Sequence, residues 1–278
     1  MQAVSPITLR KALADMNQPP SARAPRPWHP RWLSALTVAA LLGLWQLVTA
    51  AGWIAPLFLP PPALVAAKFA AVAGEGFMDA TLWQHARASL ARVGLALLLA
   101  LAGAIPLGLW MGLSPRARAV FDPLVEFYRP VPPLAYLPLI VIWFGIGEVS
   151  KVLLIALAIF APVVIATATG VRRVEQSRLR AAQSFGASRA QVLRHVVLPS
   201  ALPDVLTGIR VGLGWSTLVA AELVAATRGL GFMVQSAAQF LNTDIVVLGI
   251  VVIALIAFSL ELGLRALQRR LVPWQGRS

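Results

Sequence analysis

Lysine occurs at positions 11, 68 and 151, and none follows a glycine-rich loop. The chain therefore lacks the loop whose backbone N–H groups and single lysine cradle nucleotide phosphates. The histidines are His29, His85 and His195. The span reading below puts His85 on one side of a bilayer and the other two on the opposite side, so they cannot share a metal or a reaction centre. No serine stands in a nucleophile elbow, and no two carboxylates share a helix face for acid–base work. Cysteine is absent, which excludes disulfides and thiolate metal sites. No catalytic residue, metal ligand or cofactor site is assigned to this chain, and a transport subunit rather than an enzyme is expected.

What remains is polarity set into apolar sequence. Glu222 is the clearest case, because a carboxylate inside a hydrocarbon-length run is costly and usually functional. Two readings stand side by side: an intramembrane functional group, or a boundary residue near the headgroups with Arg228 close behind. Glu126 is expected to pair with Arg129. Tyr136, Trp215, Ser216, Thr217 and Glu222 are polar or aromatic groups within apolar segments and are candidates for lining a translocation path. Ser and Thr in spans also commonly hydrogen-bond their own or a neighbouring helix. Gly208, Gly212 and Gly214 mark a face that another helix could approach closely.

A second constellation is polar and basic. It runs Arg180-Ala181-Ala182-Gln183-Ser184-Phe185-Gly186-Ala187-Ser188-Arg189, continues through Val197, and reaches Leu198-Pro199. Ala182 and Gly186 are four residues apart and share a helix face with almost no side-chain bulk. The glycine then permits a turn at the helix end. A second amphipathic helix is expected from Gln191 to Leu198, stopping at Pro199. Such a helix–turn–helix suits docking in a groove of another protein. The alternative is an ordinary solvated basic loop.

The elements that carry these groups follow from composition. The chain has 278 residues, 58% of them hydrophobic, above the 45–50% or so of soluble domains. The apolar residues fall in blocks of about 18–25, the length of a membrane-crossing helix. They do not alternate, so an all-α polytopic membrane protein with about six spans is predicted. Spans are expected near Leu33–Ile54, Leu90–Leu113, Val120–Gly147, Lys151–Val171, Val205–Ala226 and Asp244–Leu264. Ala63–Gly74 reads as a short amphipathic helix after Pro60-Pro61-Pro62. The third span carries Pro123, Pro130, Pro132, Pro133 and Pro138 and must be broken or kinked. Residues 227–243 read as a polar loop. The expected organisation is a cytoplasmic tail over 1–32, a transmembrane domain over 33–266 with the basic loop near 172–201, and a cytoplasmic tail over 267–278. The first block is long enough to span and is preceded by too long a polar stretch for a cleaved signal.

Net charge is +13, from 24 Lys and Arg against 11 Asp and Glu. In a soluble protein that would suggest nucleic acid. Here the basic residues concentrate in alternate connections, so they set orientation. The tails, the second-to-third connection and the long loop are placed in the cytoplasm, and a nucleic-acid partner is excluded. No internal repeat is evident.

The basic loop resembles the motif of permease subunits of bacterial binding-protein-dependent ABC importers: Glu-Ala-Ala, three residues, Gly, nine residues, Ile, one residue, Leu-Pro. Here Ala181-Ala182, Gly186, Val196 and Leu198-Pro199 keep that spacing, with Arg180 in place of the opening Glu and Val196 in place of Ile. The chain is most similar to the sulfonate/nitrate/taurine group, and within it to taurine-type permeases. The similarity lies in Phe58–Pro62, Gly76–His85, Arg129–Pro138, Ala226–Met233 and Leu267–Trp274. The resemblance implies a type I importer permease fold in the bacterial inner membrane. It also implies a second permease copy, two cytoplasmic ATP-binding subunits that hold ATP and Mg, and a periplasmic solute-binding protein. Arg180, Ala181, Ala182, Ser184, Phe185, Gly186, Arg189, Leu198 and Pro199 would form the loop that couples to the ATPase. The substrate would be a small sulfonate such as taurine. The alternatives are another small organic anion, or an ion-coupled transporter relying on Glu222.

Overall fold

The computed structural model describes residues 31–223 and 226–273. The expected N-terminal tail falls almost wholly outside them and the C-terminal one from 274 onward, as do the side chains of Trp215, Ser216 and Thr217. The described residues form helices and no strand. Five helices are long and apolar enough to cross a bilayer, six if one bent pair counts as a span.

α1 (Arg31–Ala50) is followed by a turn into Pro60-Pro61-Pro62, and Pro62 opens α2 (Pro62–Gly74). Proline suits this first position because its missing N–H would have no helical acceptor there. Trp45 Nε1 donates to Pro60 O at 3.1 Å and ties the two together. α3 (Leu82–Leu113) starts at a capping box: Thr81 and Gln84 each satisfy the other's backbone N–H. It begins at Leu82, well before the expected Leu90. The polar residues that interrupt the apolar run, His85, Ser89 and Arg92, are buried on its inner face.

Ser114 ends α3 and caps α4 (Pro115–Tyr128), accepting from Ala117 N at 3.3 Å. A 3-10 turn (Pro133–Tyr136) then leads into α5 (Leu137–Phe144), and the two halves are bent by 90°. The proline-rich third span is therefore broken, as its sequence requires. The bend is held by the chain's two tyrosines. Tyr128 Oη donates to Leu157 O at 2.8 Å, and the two hydroxyls are 2.8 Å apart. Glu126 is exposed and forms no ion pair with Arg129 among the described residues, contrary to expectation.

α6 (Glu148–Arg172) is the centre of the bundle. α7 (Gln176–Ser184) and α8 (Arg189–Val192) form the hairpin that follows. The helix does not stop at Pro199. A π-turn (Leu193–Val197) carries it into α9 (Leu198–Gly212), the wider i→i+5 bonding taking up proline's missing donor. The fifth span is not continuous either. α9 ends at Gly212, and α10 (Trp215–Leu223) follows a break at Leu213-Gly214. The expected polar loop over 227–243 contains α11 (Leu230–Gln239). α12 (Thr243–Leu271) runs past Leu264 into the basic C-terminal stretch.

Glycines let α3 and α9 approach α6 almost backbone to backbone. A Cβ on Gly108 would lie 2.6 Å from Thr167 Cβ and 2.8 Å from Val164 O. One on Gly208 would lie 2.5 Å from Ala166 Cβ, and one on Gly212 3.1 Å from Ile159 Cα. Ala96, Ala100 and Ala104 continue the small-residue face of α3 against Leu154, Ile159 and Val163. Large apolar side chains point outward instead, including Leu95, Leu98 and Leu99 of α3 and Leu255, Phe258 and Leu262 of α12. That inversion suits a bundle solvated by lipid, where close packing rather than water exclusion joins helices.

Gly108→Ala and Gly94→Ala should therefore have opposite signs. Gly94 has open space where its Cβ would go, so alanine there should gain roughly 0.5–1 kcal/mol of helix propensity. Gly108→Ala should lose about 1–3 kcal/mol by overpacking. Thermal unfolding of the detergent-purified protein measures both.

Candidate functional site

The polar groups gather at the two ends of α6, about 36 Å apart at 1.5 Å per residue. The basic hairpin sits at the Arg172 end. α7 closes with a Schellman motif: Ala187 N donates to Ala182 O at 3.1 Å, and Gly186 N to Gln183 O at 2.9 Å. Gly186 has φ +78 and nothing within 4 Å of its Cβ position. Glycine is thus needed for backbone conformation, not for space. Ser188 and Gln191 form a second capping box, which sets the direction of α8.

The structure brings the hairpin candidates together at one exposed tip. Phe185 is 91% exposed, and Arg180, Ala181, Ser184 and Arg189 are exposed around it. Ala182 is half-buried, Ser184 Oγ donates to Ala181 O at 2.8 Å, and Leu198 and Pro199 lie in the run into α9. Val171, Val174, Val197 and Ala201 form a small core that anchors the hairpin, with Leu179 and Leu193 packed on it. Arg173 Nη1 to Asp204 Oδ1, at 2.9 Å, clamps the end of α6 to the middle of α9. A cleft of about 770 Å³ opens between hairpin and bundle, lined by Leu113, Arg172, Gln183, Arg189 and Leu193.

The Glu148 end holds an ion cluster that is buried at Arg92, Lys151 and Glu222 and open to the surface at Glu148, whose side chain is 60% exposed. Glu222 is 0% exposed. Its Oε1 accepts from Ser89 Oγ and from Arg92 Nη1, both at 2.7 Å, and its Oε2 accepts from Gly231 N at 2.7 Å. The Arg92 fork also grips Glu148, with Nε to Oε2 at 2.6 Å and Nη2 to Oε1 at 2.8 Å. Lys151 Nζ reaches Glu148 Oε1 at 3.1 Å, so two cations balance two carboxylates. Arg92 Nη1 further donates to Arg228 O at 2.7 Å, and Leu230 N donates to Ser89 Oγ at 2.9 Å. Gly229 N donates to His85 Nδ1 at 3.1 Å, so the proton on that ring sits on Nε2, which donates to Phe77 O at 2.9 Å. The cluster thereby joins α3, α6, α10 and the segment leading into α11.

Of the predicted path residues, Glu222 lies in this cluster and Tyr136 in the tyrosine pair at the bend. Trp215, Ser216 and Thr217 open α10. Arg92, Glu148, Ser89 and His85 were not candidates from the sequence. Their signal is the 85–89–92–96 spacing, which puts three polar residues on the same helix face as the core residue Ala96. A second ion group escaped as well: Arg210 Nε donates to Glu261 Oε2 at 3.1 Å and Nη2 to Oε1, and Arg265 Nε donates to the same Oε1 at 2.7 Å. It ties α9 to α12 within their apolar lengths.

Residues 104–273 match the family described as binding-protein-dependent transport system inner membrane component. The chain belongs to that family. This inner membrane component is 66% identical over 247 residues to the taurine transport system permease protein TauC of Escherichia coli K12, covering 88% of this chain and 90% of that one. It is 35% identical over 247 residues to the putative aliphatic sulfonates transport permease protein SsuC of Bacillus subtilis 168, covering 88% of each. Its fold is similar to a chain of the MetNI methionine ABC transporter, with a TM-score of 0.60 and 16% identity. That match covers 68% of this chain and 97% of the other. The family segment contains the whole hairpin and Glu148, Glu222 and Gly229–Gly231, whereas His85, Ser89 and Arg92 precede it.

Gly229 tests the cluster's packing. It has φ +139, and a Cβ there would lie 2.5 Å from the Glu222 carboxyl carbon. Gly229→Ala should lower stability by at least about 1–3 kcal/mol. Arg228→Ala, which keeps the carbonyl that Arg92 uses, should stay within about 0.5 kcal/mol of the parent. Thermal unfolding in detergent compares the two.

Proposed function

We propose that this chain is the permease subunit of an ATP-driven importer for a small sulfonate such as taurine. The observation that carries the proposal is the 66% identity to the taurine permease over most of both chains. The exposed, rigidly capped hairpin at one end of the bundle supports it. In this reading two copies enclose the path, two ATP-binding subunits dock on the hairpins, and a periplasmic binding protein delivers substrate to the Glu148 end. ATP and Mg are held by the docking subunits, and this chain holds no cofactor. Both termini and the hairpin face the cytoplasm, with 1–32 and 267–278 as tails.

Phe185, at the tip, is the side chain offered to the ATPase groove. The small residues Ala181, Ala182 and Ser184 let that groove close on the α7 backbone. Arg180 and Arg189 supply charge at its rim. The path is proposed to run along the broken third segment and α10, with Tyr136, Trp215, Ser216, Thr217 and Glu222 at or beside it. The ion-coupled alternative needs a carboxylate free to exchange protons. The bonds on both oxygens of Glu222 favour a fixed, structural carboxylate instead.

Gly186→Trp tests the docking role. In proteoliposomes with the ATP-binding subunits and binding protein, ATP-dependent taurine uptake should fall about tenfold or more. An L-residue in the left-handed region costs about 1–2 kcal/mol, and the indole would crowd the docking tip. Uptake at the parental rate would contradict a docked hairpin.

A further inference from the structure

We infer that the bundle bends at one level, a hinge plane where three neighbouring helices are each interrupted, so that the hairpin end moves as a unit against the Arg92 end. This rests on the proposed ATP-driven reading and names the place in the chain where the imposed movement is absorbed.

Pro106 lies inside α3 and Pro162 inside α6. Each removes an i→i−4 backbone bond and gives its helix a flexure point. The third interruption is the break after α9. Leu213 has φ −72 and ψ 62, and Gly214 N donates to Gly212 O at 2.7 Å. That is an inverse γ-turn, a single-residue pivot between two helices.

The glycine contacts place the three at a common depth. Pro106 falls between Gly103, whose Cβ would lie 3.2 Å from Phe160, and Gly108, which faces Val164 and Thr167. It is therefore at about the level of Pro162. Gly208 faces Pro162 O at 3.0 Å and Gly212 faces Ile159, so the γ-turn is within about one 5.4 Å turn of the same level. A narrow gap lined by Val93, Ile155, Ile159, Gly212, Leu213 and Leu218 runs from the γ-turn toward the Arg92 end.

Each side of this plane is cross-linked within itself. On the hairpin side, the Val171–Val197–Ala201 core and the Arg173–Asp204 pair join α6, the hairpin and α9. The π-turn at Leu193–Val197 and Pro203 interrupt the stretch from Arg189 to Gly212, but the Val171–Val197–Ala201 core and the Arg173–Asp204 pair brace both points against α6, so movement at the hairpin is carried on to the γ-turn. On the other side, Arg92 holds α3, α6 and α10 through Glu148 and Glu222. Two braced modules joined at three weakened points bend between the modules rather than within them.

The chain has no cysteine, so spin-label pairs can be introduced directly into the full complex in lipid nanodiscs. The pairs are Trp83→Cys/Val149→Cys within the outer module, Leu113→Cys/Gln183→Cys within the inner one, and Val149→Cys/Gln183→Cys across the plane. On ATP binding, the crossing distance should shift by about 2 Å or more, the scale of helix movements in switching proteins. The two within-module distances should hold. Unchanged distances in all three pairs, in a complex that still imports with ATP, would mean a rigid protomer and would overturn the hinge. So would a shift within a module as large as the crossing shift. A complex without ATP-dependent uptake would overturn the importer reading itself.

A second variant, Pro106→Ala/Pro162→Ala, restores two backbone bonds and should fold at least as stably. Its uptake per ATP hydrolysed should fall at least about fivefold, the lower end of typical coupling between sites. An unchanged ratio would overturn the hinge.

Discussion

A guanidinium and a carboxylate taken out of water must neutralise each other, because in an apolar surrounding neither can be solvated alone. Arg92 and Glu222 are that pair here, 6% and 0% exposed at their side chains. Much of the architecture at that end serves the requirement. Ser89, Gly231 N and the Arg228 carbonyl occupy bonding positions the pair would otherwise leave empty, and Glu148 takes the remaining edge of the guanidinium. Gly229 is glycine because the Glu222 carboxylate fills the space a Cβ would need. The cluster joins residues more than a hundred positions apart, and α10 is packed into the bundle with it.

The opposite end of α6 is organised by backbone geometry rather than charge. A Schellman turn, one capping box and a small apolar core give the hairpin a fixed shape. Its tip residues, Phe185 foremost, stay exposed. Between the two ends, α3 and α9 lie so close to α6 that single methyl groups matter. The family to which the chain belongs thus has, in this member, one end held by buried charge and one shaped by backbone geometry with an exposed tip.

Much of this was legible from residues alone. The apolar run lengths gave the helical, polytopic class, and the prolines from 123 to 138 required the break that the 90° bend supplies. Gly186 after a small-residue helix read correctly as a turn. The errors share a cause: local pattern cannot say what a residue faces. His85, Ser89 and Arg92 shortened the apparent second span because inward-facing polar groups look like surface in one dimension. Gly212 and Gly214 read as a packing face. Gly212 does pack on α6, but the same permissiveness also allowed the break at Leu213. Pro199 read as a helix end because a π-turn has no sequence mark. Glu222 could be singled out as a buried charge, but its partner on α3 could not be found at that separation without the fold.

The most direct test of the account is a double-mutant cycle on Arg92 and Glu222, each replaced by Met, read as thermal stability of the purified protein. Arg92→Met strands the Glu222 carboxylate and should lose about 3–5 kcal/mol, whereas Glu222→Met leaves two cations on Glu148 and should lose less, about 1–3 kcal/mol. The double variant restores neutrality, leaving Glu148 with Lys151, and should recover most of that loss, giving a coupling energy of at least about 2 kcal/mol. If the two losses simply add, the pair is not what holds α10 to α3, and the organisation described here is wrong at its centre.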